Sequence, residues 1–110
     1  MRYAKFRWDE DRGDQHAAWG GSWWYFETGP DGYATRQVEV YDSGVRLRYG
    51  PGHRDDEFGG LSQGHESELD RSVDQVLSAA EFEAVWARGP WHNERSAEPL
   101  YGLPRQEGAP

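Results

Sequence analysis

Residues 37–49, QVEVYDSGVRLRY, constrain this chain more than any other stretch. Two alternating runs flank Ser43-Gly44, a pair suited to a two-residue hairpin turn. With that turn Val40 faces Leu47 and Val38 faces Tyr49, while Tyr41 faces Arg46 and Glu39 faces Arg48. One face is then apolar, and the other carries an opposite-charge pair worth roughly 0.2–1 kcal/mol. A three-residue turn over residues 42–44 would set Val40 against Arg46 and mix the faces. A one-residue slip sends every side chain to the other side of a sheet, so the pattern favours the two-residue register.

Gly29-Pro30-Asp31-Gly32 is a second turn signal, joining strands over residues 23–28 and 34–42. A loop over residues 29–33 sets Trp24 opposite Val38, with Phe26 on the same core face. Trp23, Tyr25 and Glu27 then share the Tyr41 face. With aromatics on both sides, either both are covered or one is presented to a partner. Upstream, residues 2–8 alternate: Ala4, Phe6 and Trp8 on one face, Tyr3, Lys5 and Arg7 on the other, as in a half-buried strand. Residues 9–21 are polar, then Gly-rich, and read as a loop.

Residues 50–70 hold six acids against one Arg, with five Gly and two His. No periodicity runs through them, and a structureless loop of about 20 residues is uncommon in a compact domain. Phe58 and Leu61 are placed to pin its middle to the core. Residues 72–89 read as helical. Ser78-Ala79-Ala80-Glu81 has the form of a capping box, Phe82, Val85 and Trp86 follow at helical spacing, and Gly89-Pro90 ends the helix. An earlier turn over residues 72–77 would carry Val73, Val76 and Leu77. After Trp91 the chain is polar and loop-like, with Leu100, Tyr101 and Leu103 as docking points.

The expected architecture is α+β: a four-stranded, mostly antiparallel sheet with one C-terminal helix packed on it. Residues 1–91 form the domain and residues 92–110 an extended or partly disordered tail. The expected core is Ala4, Phe6, Trp8, Trp24, Phe26, Val38, Val40, Leu47, Phe82, Val85 and Trp86. Hydrophobic residues are only 35% of the chain, but 6 Trp, 6 Tyr and 4 Phe supply large buried areas.

A net charge of −8 and a pI near 4.9 argue against nucleic-acid and anionic-membrane partners and suit a basic protein partner. Mimicry of a nucleic-acid backbone, as in a nuclease inhibitor, fits the same charge. Without Cys there is neither a disulfide nor a thiolate chemistry. The opening residues lack the apolar run of a signal peptide and no stretch reaches the length of a membrane span, so the cytoplasm is the expected compartment.

WWYFE at residues 23–27, DGYATRQVEVYDSG at 31–44, RYGPGHRDDEFGGLS at 48–62 and AEFEAVW at 80–86 carry a family likeness. The chain resembles a family of small bacterial proteins, common in actinobacteria and filed as a domain of unknown function. Its D-E-F/Y-G-G-L-S element, DEFGGLS at 56–62, is the most distinctive piece. The resemblance implies a strand-rich sheet with a C-terminal helix, and it carries over no catalytic residue. Proteins of this size and type also look like the protective partner of a toxin–immunity pair.

Candidate chemistry lies in two places. His53, Asp55, Asp56 and Glu57, with His65, Glu66 and Glu68, are the dense ionisable clusters, but they lack H-x-x-x-H and H-E-x-x-H spacing, so no metal or cofactor is expected. Arg36, Arg46 and Arg48 form a basic stripe interleaved with Tyr25 and Tyr41, the outline of a single-strand platform, but Glu27 and Glu39 lie among them. The reading is a non-catalytic protein-binding module, an immunity-type inhibitor that occludes a partner's active site. Its expected contact residues are Trp23, Tyr25, Tyr41, Arg46, Arg48, Asp55, Asp56 and Glu57. A homodimer is left open. The alternatives are an accessory small-molecule or peptide-binding protein using the aromatic sheet face, and a small enzyme using loop 53–68.

Overall fold

The computed structural model describes residues 1–68 and 75–94. Its elements are β1 (Arg2–Trp8), β2 (Ser22–Thr28), β3 (Ala34–Tyr41), β4 (Arg46–Tyr49), β5 (Asp55–Asp56), β6 (Gly59–Gly60), β7 (Gln75–Leu77) and α1 (Ala79–Trp86). Five strands pair antiparallel in the order β4-β3-β2-β1-β7, and β5 and β6 form a small hairpin of their own. The class is α+β, with α1 the one α-helix among the described residues, following all the strands in the chain.

The sheet has five strands rather than four because residues 75–77 are extended instead of helical. The Ser78 capping box decides where the helix starts. The Glu81 amide donates to Ser78 Oγ at 3.1 Å, and the Ser78 amide donates to Glu81 Oε1 at 2.8 Å. Residues before such a cap are freed for other pairing. The open edge of β1 takes them, with Tyr3 opposite Leu77 and Lys5 opposite Gln75. The expected start of that segment at residues 72–74 lies outside the described residues.

Two one-residue shifts change which side chains share a face. The turn over residues 29–33 forms as expected, with Thr28 opposite Ala34, but the register slips at once and Glu27 pairs with Arg36. Thr35 is left over as a bulge, its hydroxyl donating to Glu27 Oε1 at 2.6 Å. Tyr25, not Trp24, therefore faces Val38. The second shift is the β3–β4 turn, which spans three residues, Asp42, Ser43 and Gly44. The Gly44 amide donates to Tyr41 O at 2.8 Å and the Tyr41 amide to Val45 O at 2.9 Å. Gly44 has φ 99°, the left-handed conformation that a three-residue hairpin places last in its loop. Val40 therefore faces Arg46 and Val38 faces Arg48. This is the mixed pattern that the two-residue register avoids, and it is tolerated because both sides of the sheet are covered.

One side carries Ala4, Phe6, Trp8, Trp24, Phe26, Gln37, Glu39, Tyr41, Leu47 and Tyr49. The other carries Tyr3, Lys5, Arg7, Trp23, Tyr25, Glu27, Arg36, Val38, Val40, Arg46 and Arg48. On the first side Tyr41, Leu47, Tyr49 and Leu61 form a buried cluster, backed by Trp19 and Phe58. Phe58 and Leu61 thus pin the acidic loop as expected. Phe6, Trp24 and Phe26 pack beside it with ring planes within 15° of one another. On the second side Val38, Phe82 and Trp91 make the other cluster, flanked by Tyr3, Tyr25, Val40, Val85 and Trp86. Of the expected core, Phe26, Val38, Leu47 and Phe82 are buried, whereas Trp8 is 49% exposed at the end of β1.

The loop after β6 returns to the β2–β3 turn. The Glu66 amide donates to Gly32 O at 2.9 Å, and a Cβ at Gly32 would collide with the His65 ring. Among the described residues no helix is long and apolar enough to cross a membrane.

Candidate functional site

The structure divides the expected contact residues between the two sides of the sheet. Trp23, Tyr25, Arg46 and Arg48 share the helix side, but Tyr41 points the opposite way and is buried. The bulge at Thr35 is the cause, since it rotates Tyr41 away from Trp23 and Tyr25. Asp55, Asp56 and Glu57 belong to the β5 hairpin, which meets the Tyr41 side through Tyr49. A single patch made of all eight does not exist.

On the helix side, guanidinium groups alternate with rings. Arg36 lies 5.0 Å from the Phe82 centroid and 4.9 Å from Trp86; Arg48 lies 4.8 Å from Trp86 and 4.7 Å from Trp91; Arg46 lies 5.4 Å from Trp91. Each contact is worth about 0.5–2 kcal/mol, more as water is excluded. Carboxylates neutralise the inner rungs. Arg36 donates to Glu27 Oε2 at 2.7 Å and to Glu83, and Arg48 to Glu94 Oε2 at 2.7 Å. The basic stripe of the sequence is therefore a fastening that holds α1 and residues 91–94 to β3 and β4. Asn93 completes it, buried and bonded to the backbone N and O of Arg48. The Arg36 pair, ahead of burial acting in the opposite sense, draws the Glu27 carboxyl down to about 2.

Asp56 is also a structural acid. Oδ1 accepts from the Tyr49 hydroxyl at 2.9 Å and the Phe58 amide at 2.8 Å, and Oδ2 meets His53 Nε2 at 2.7 Å and accepts from Asn93 Nδ2 at 2.9 Å. Burial pushes its pKa up, but these partners outweigh it and the net shift is downward. Asp55 and Glu57 are exposed. Among the described residues no three His, Cys, Asp or Glu side chains come together as a metal site.

The opposite side of the sheet holds a cleft of about 820 Å³ between residues 8–14 and the surface of β2 and β3. Glu39 forms part of its lining, 2% exposed. Burial raises its pKa, against hydrogen bonds that favour the anion. The Tyr41 hydroxyl donates to Oε1 at 2.5 Å and Gln37 Nε2 to Oε2 at 2.8 Å. Burial, with the neighbouring Glu39, pushes the Tyr41 phenol well above its ordinary range. Arg12 reaches in from the loop. It donates to the Tyr41 oxygen at 3.0 Å, to Phe58 O at 2.5 Å and to Asp14 Oδ2 at 3.1 Å, and stands 3.9 Å from Glu39 Oε1. Trp19 and Tyr41 flank its guanidinium at 5.4 and 5.9 Å. The cleft is thus chemically complementary to a guanidinium, and the chain supplies one itself.

Around the mouth stand Trp8 and the exposed Asp9, Glu10, Asp11 and Asp14. The loop is built by its own side chains: Asp11 accepts the Gly13 amide and Asp14 the His16 amide, each at 2.8 Å. Sequence reasoning passed over this site. Its signal was the run DEDRGD next to Trp8, together with one acid, Glu39, flanked by two valines in a strand.

In comparisons with known proteins, no family model, no curated protein and no solved structure matches this chain. The geometry alone bears on what the cleft does. Glu39 accepts from Gln37 and Tyr41 and stands 3.9 Å from Arg12, so the buried acid of the cleft is engaged by the chain's own groups.

Proposed function

We propose that this protein is a non-catalytic binding module for a protein partner with a basic surface, and that the cleft over Glu39 is its contact site. One observation carries the reading: Arg12 sits among Trp19, Tyr41, Asp14 and Glu39, and beside it stand the half-exposed Trp8 and the exposed acidic rim of Asp9, Glu10 and Asp11, of which Asp9 also pairs with Arg7. An acidic rim steers a basic partner, and an aromatic at the mouth is a common anchor. An inhibitor that occludes the basic cleft of a nucleic-acid-cleaving toxin is the specific form that the net charge of −8 favours.

The test is a fluorescence titration of the full chain with hexa-arginine at low ionic strength, with hexaglutamate as the control. Saturable quenching by hexa-arginine, weakened at least tenfold in Trp8→Ala and in Asp9→Asn/Glu10→Gln and weakened by salt, is expected. Binding that is absent, or equal in all these variants, overturns the proposal.

A further inference from the structure

Another cavity, of about 420 Å³, opens where three separate stretches of chain meet: the β2–β3 turn, the β4–β5 turn and the residues after β6. It shares no lining residue with the cleft over Glu39, and its volume falls within the roughly 300–1,000 Å³ of small-molecule sites. Each wall is fixed by the chain's own bonds. The Gly29 amide donates to Tyr33 O at 2.9 Å, and Gly50 and His53 exchange amide–carbonyl hydrogen bonds, both at 3.0 Å. The Leu61 amide donates to Arg54 O at 2.8 Å, and the Ser62 amide to Oε1 of the buried Gln37 at 2.9 Å. A ligand therefore meets walls that are already in place, which lowers the cost of binding it.

Asp31 and Arg54 both line this cavity, yet no contact within 4.0 Å joins them. Among the described residues neither meets any other side chain of opposite charge within that distance. Asp31 is tied into its own turn, where Oδ1 accepts the Tyr33 amide at 3.2 Å. The Ser62 hydroxyl and the Gln63 side-chain amide also line the cavity, and neither has a hydrogen-bond partner among the described residues. The buried Leu61 and Tyr33, 45% exposed, add apolar surface. Opposite charges that share a cavity without neutralising each other select a ligand by sign. A simple anion is attracted by Arg54 and repelled by Asp31, and a simple cation the reverse, so the two effects oppose one another. A molecule that carries both signs is attracted by both.

We propose that this cavity is a receptor for a small zwitterion, a free amino acid or a dipeptide. The ligand's carboxylate pairs with the Arg54 guanidinium, with the Ser62 hydroxyl and the Gln63 amide as further donors. Its ammonium pairs with Asp31, with the Tyr33 ring beside it, and its side chain packs on Leu61. This site is independent of the Glu39 cleft and of the partner proposed there.

The probes are the standard amino acids, dialanine and dileucine, screened against the full chain by saturation-transfer NMR. The strongest binder is then titrated by calorimetry beside its N-acetyl and amide derivatives, each of which lacks one of the two charges. Saturable binding of the zwitterion is expected, weakened about tenfold or more in both derivatives, in Arg54→Gln and in Asp31→Asn, because each change removes a charge-assisted bond. Arg54 and Asp31 are exposed, and the side chain of Asp31→Asn still offers an oxygen to the Tyr33 amide, so both variants keep the fold and an unchanged melting temperature. A free amino acid and a dipeptide differ in the span between their charges, and the tighter binder of the two names the ligand. Absence of saturable binding by every probe, binding that either derivative matches, or binding that survives unchanged in Arg54→Gln overturns the proposal.

Discussion

Val38 and Leu47 are both completely buried, and they lie on opposite sides of the sheet. Neighbouring strands supply them, and each belongs to its own cluster. The sheet is therefore the middle layer of the molecule rather than one wall of a single core. Leu47→Ala should cost about 2–5 kcal/mol and Phe82→Ala, on the other side, about 3–5 kcal/mol. Urea denaturation measures both. A core confined to one side would leave one of the two tolerant.

The β3–β4 turn can be tested at Gly44. Its φ is 99° and an added Cβ would meet nothing within 4 Å. The only cost of Gly44→Ala is then conformational, about 1 kcal/mol. Gly44→Asn should cost less, because Asn tolerates the left-handed region. Thermal melts of the two variants give the comparison.

Arg48→Lys should not be conservative. The guanidinium plane lies between Trp86 and Trp91 and forks onto Glu94 through Nε and Nη2. An ammonium can neither stack in the same way nor donate as a fork. A loss of about 1–3 kcal/mol is expected, with earlier exposure of Trp91 followed by its fluorescence during unfolding.

The Glu27–Arg36 pair sets an acid limit. Glu27 has its pKa lowered from 4.5 to about 2 in the folded state. A depressed acid contributes stability that is full above pH 4.5 and is lost as the pH falls through 2. The size is on the order of 3 kcal/mol. In urea titrations between pH 2 and 6, Glu27→Gln should remove this part of the acid slope.

Glu39 should act with the opposite sign. Burial raises its pKa, so the folded state holds that proton more tightly than the unfolded chain. Its contribution is present below the ordinary Glu range and is lost as the pH rises through the folded value. Glu39→Gln should flatten the stability profile above pH 4.5, measured by the same titrations.

Much of the local structure was legible in the residues. The alternation in residues 2–8, the turn over residues 29–33 and the Ser78–Glu81 box each act over a few neighbours, and each forms as read. The Ser43-Gly44 turn was located correctly but closed one residue too tightly, since the glycine conformation that lengthens it leaves the same letters in the sequence. The pairing of residues 75–77 was hidden because only the open edge of β1, distant in the chain, makes that segment a strand. The cleft was missed because Arg12 and Glu39 meet through a loop fold that no spacing rule describes.

By itself the sequence determined the four strands within residues 2–49, the Ser78–Glu81 cap and the excess of acid, because these follow from side-chain periodicity, capping and charge within short windows. Only the tertiary structure decided the faces. A bulge at Thr35 and a third residue in the next turn each reverse the side chains beyond them, and neither is visible until both sides of the sheet are filled. Packing on both sides favours the shifted registers, placing Tyr41 beside Glu39 and Arg48 between two indoles.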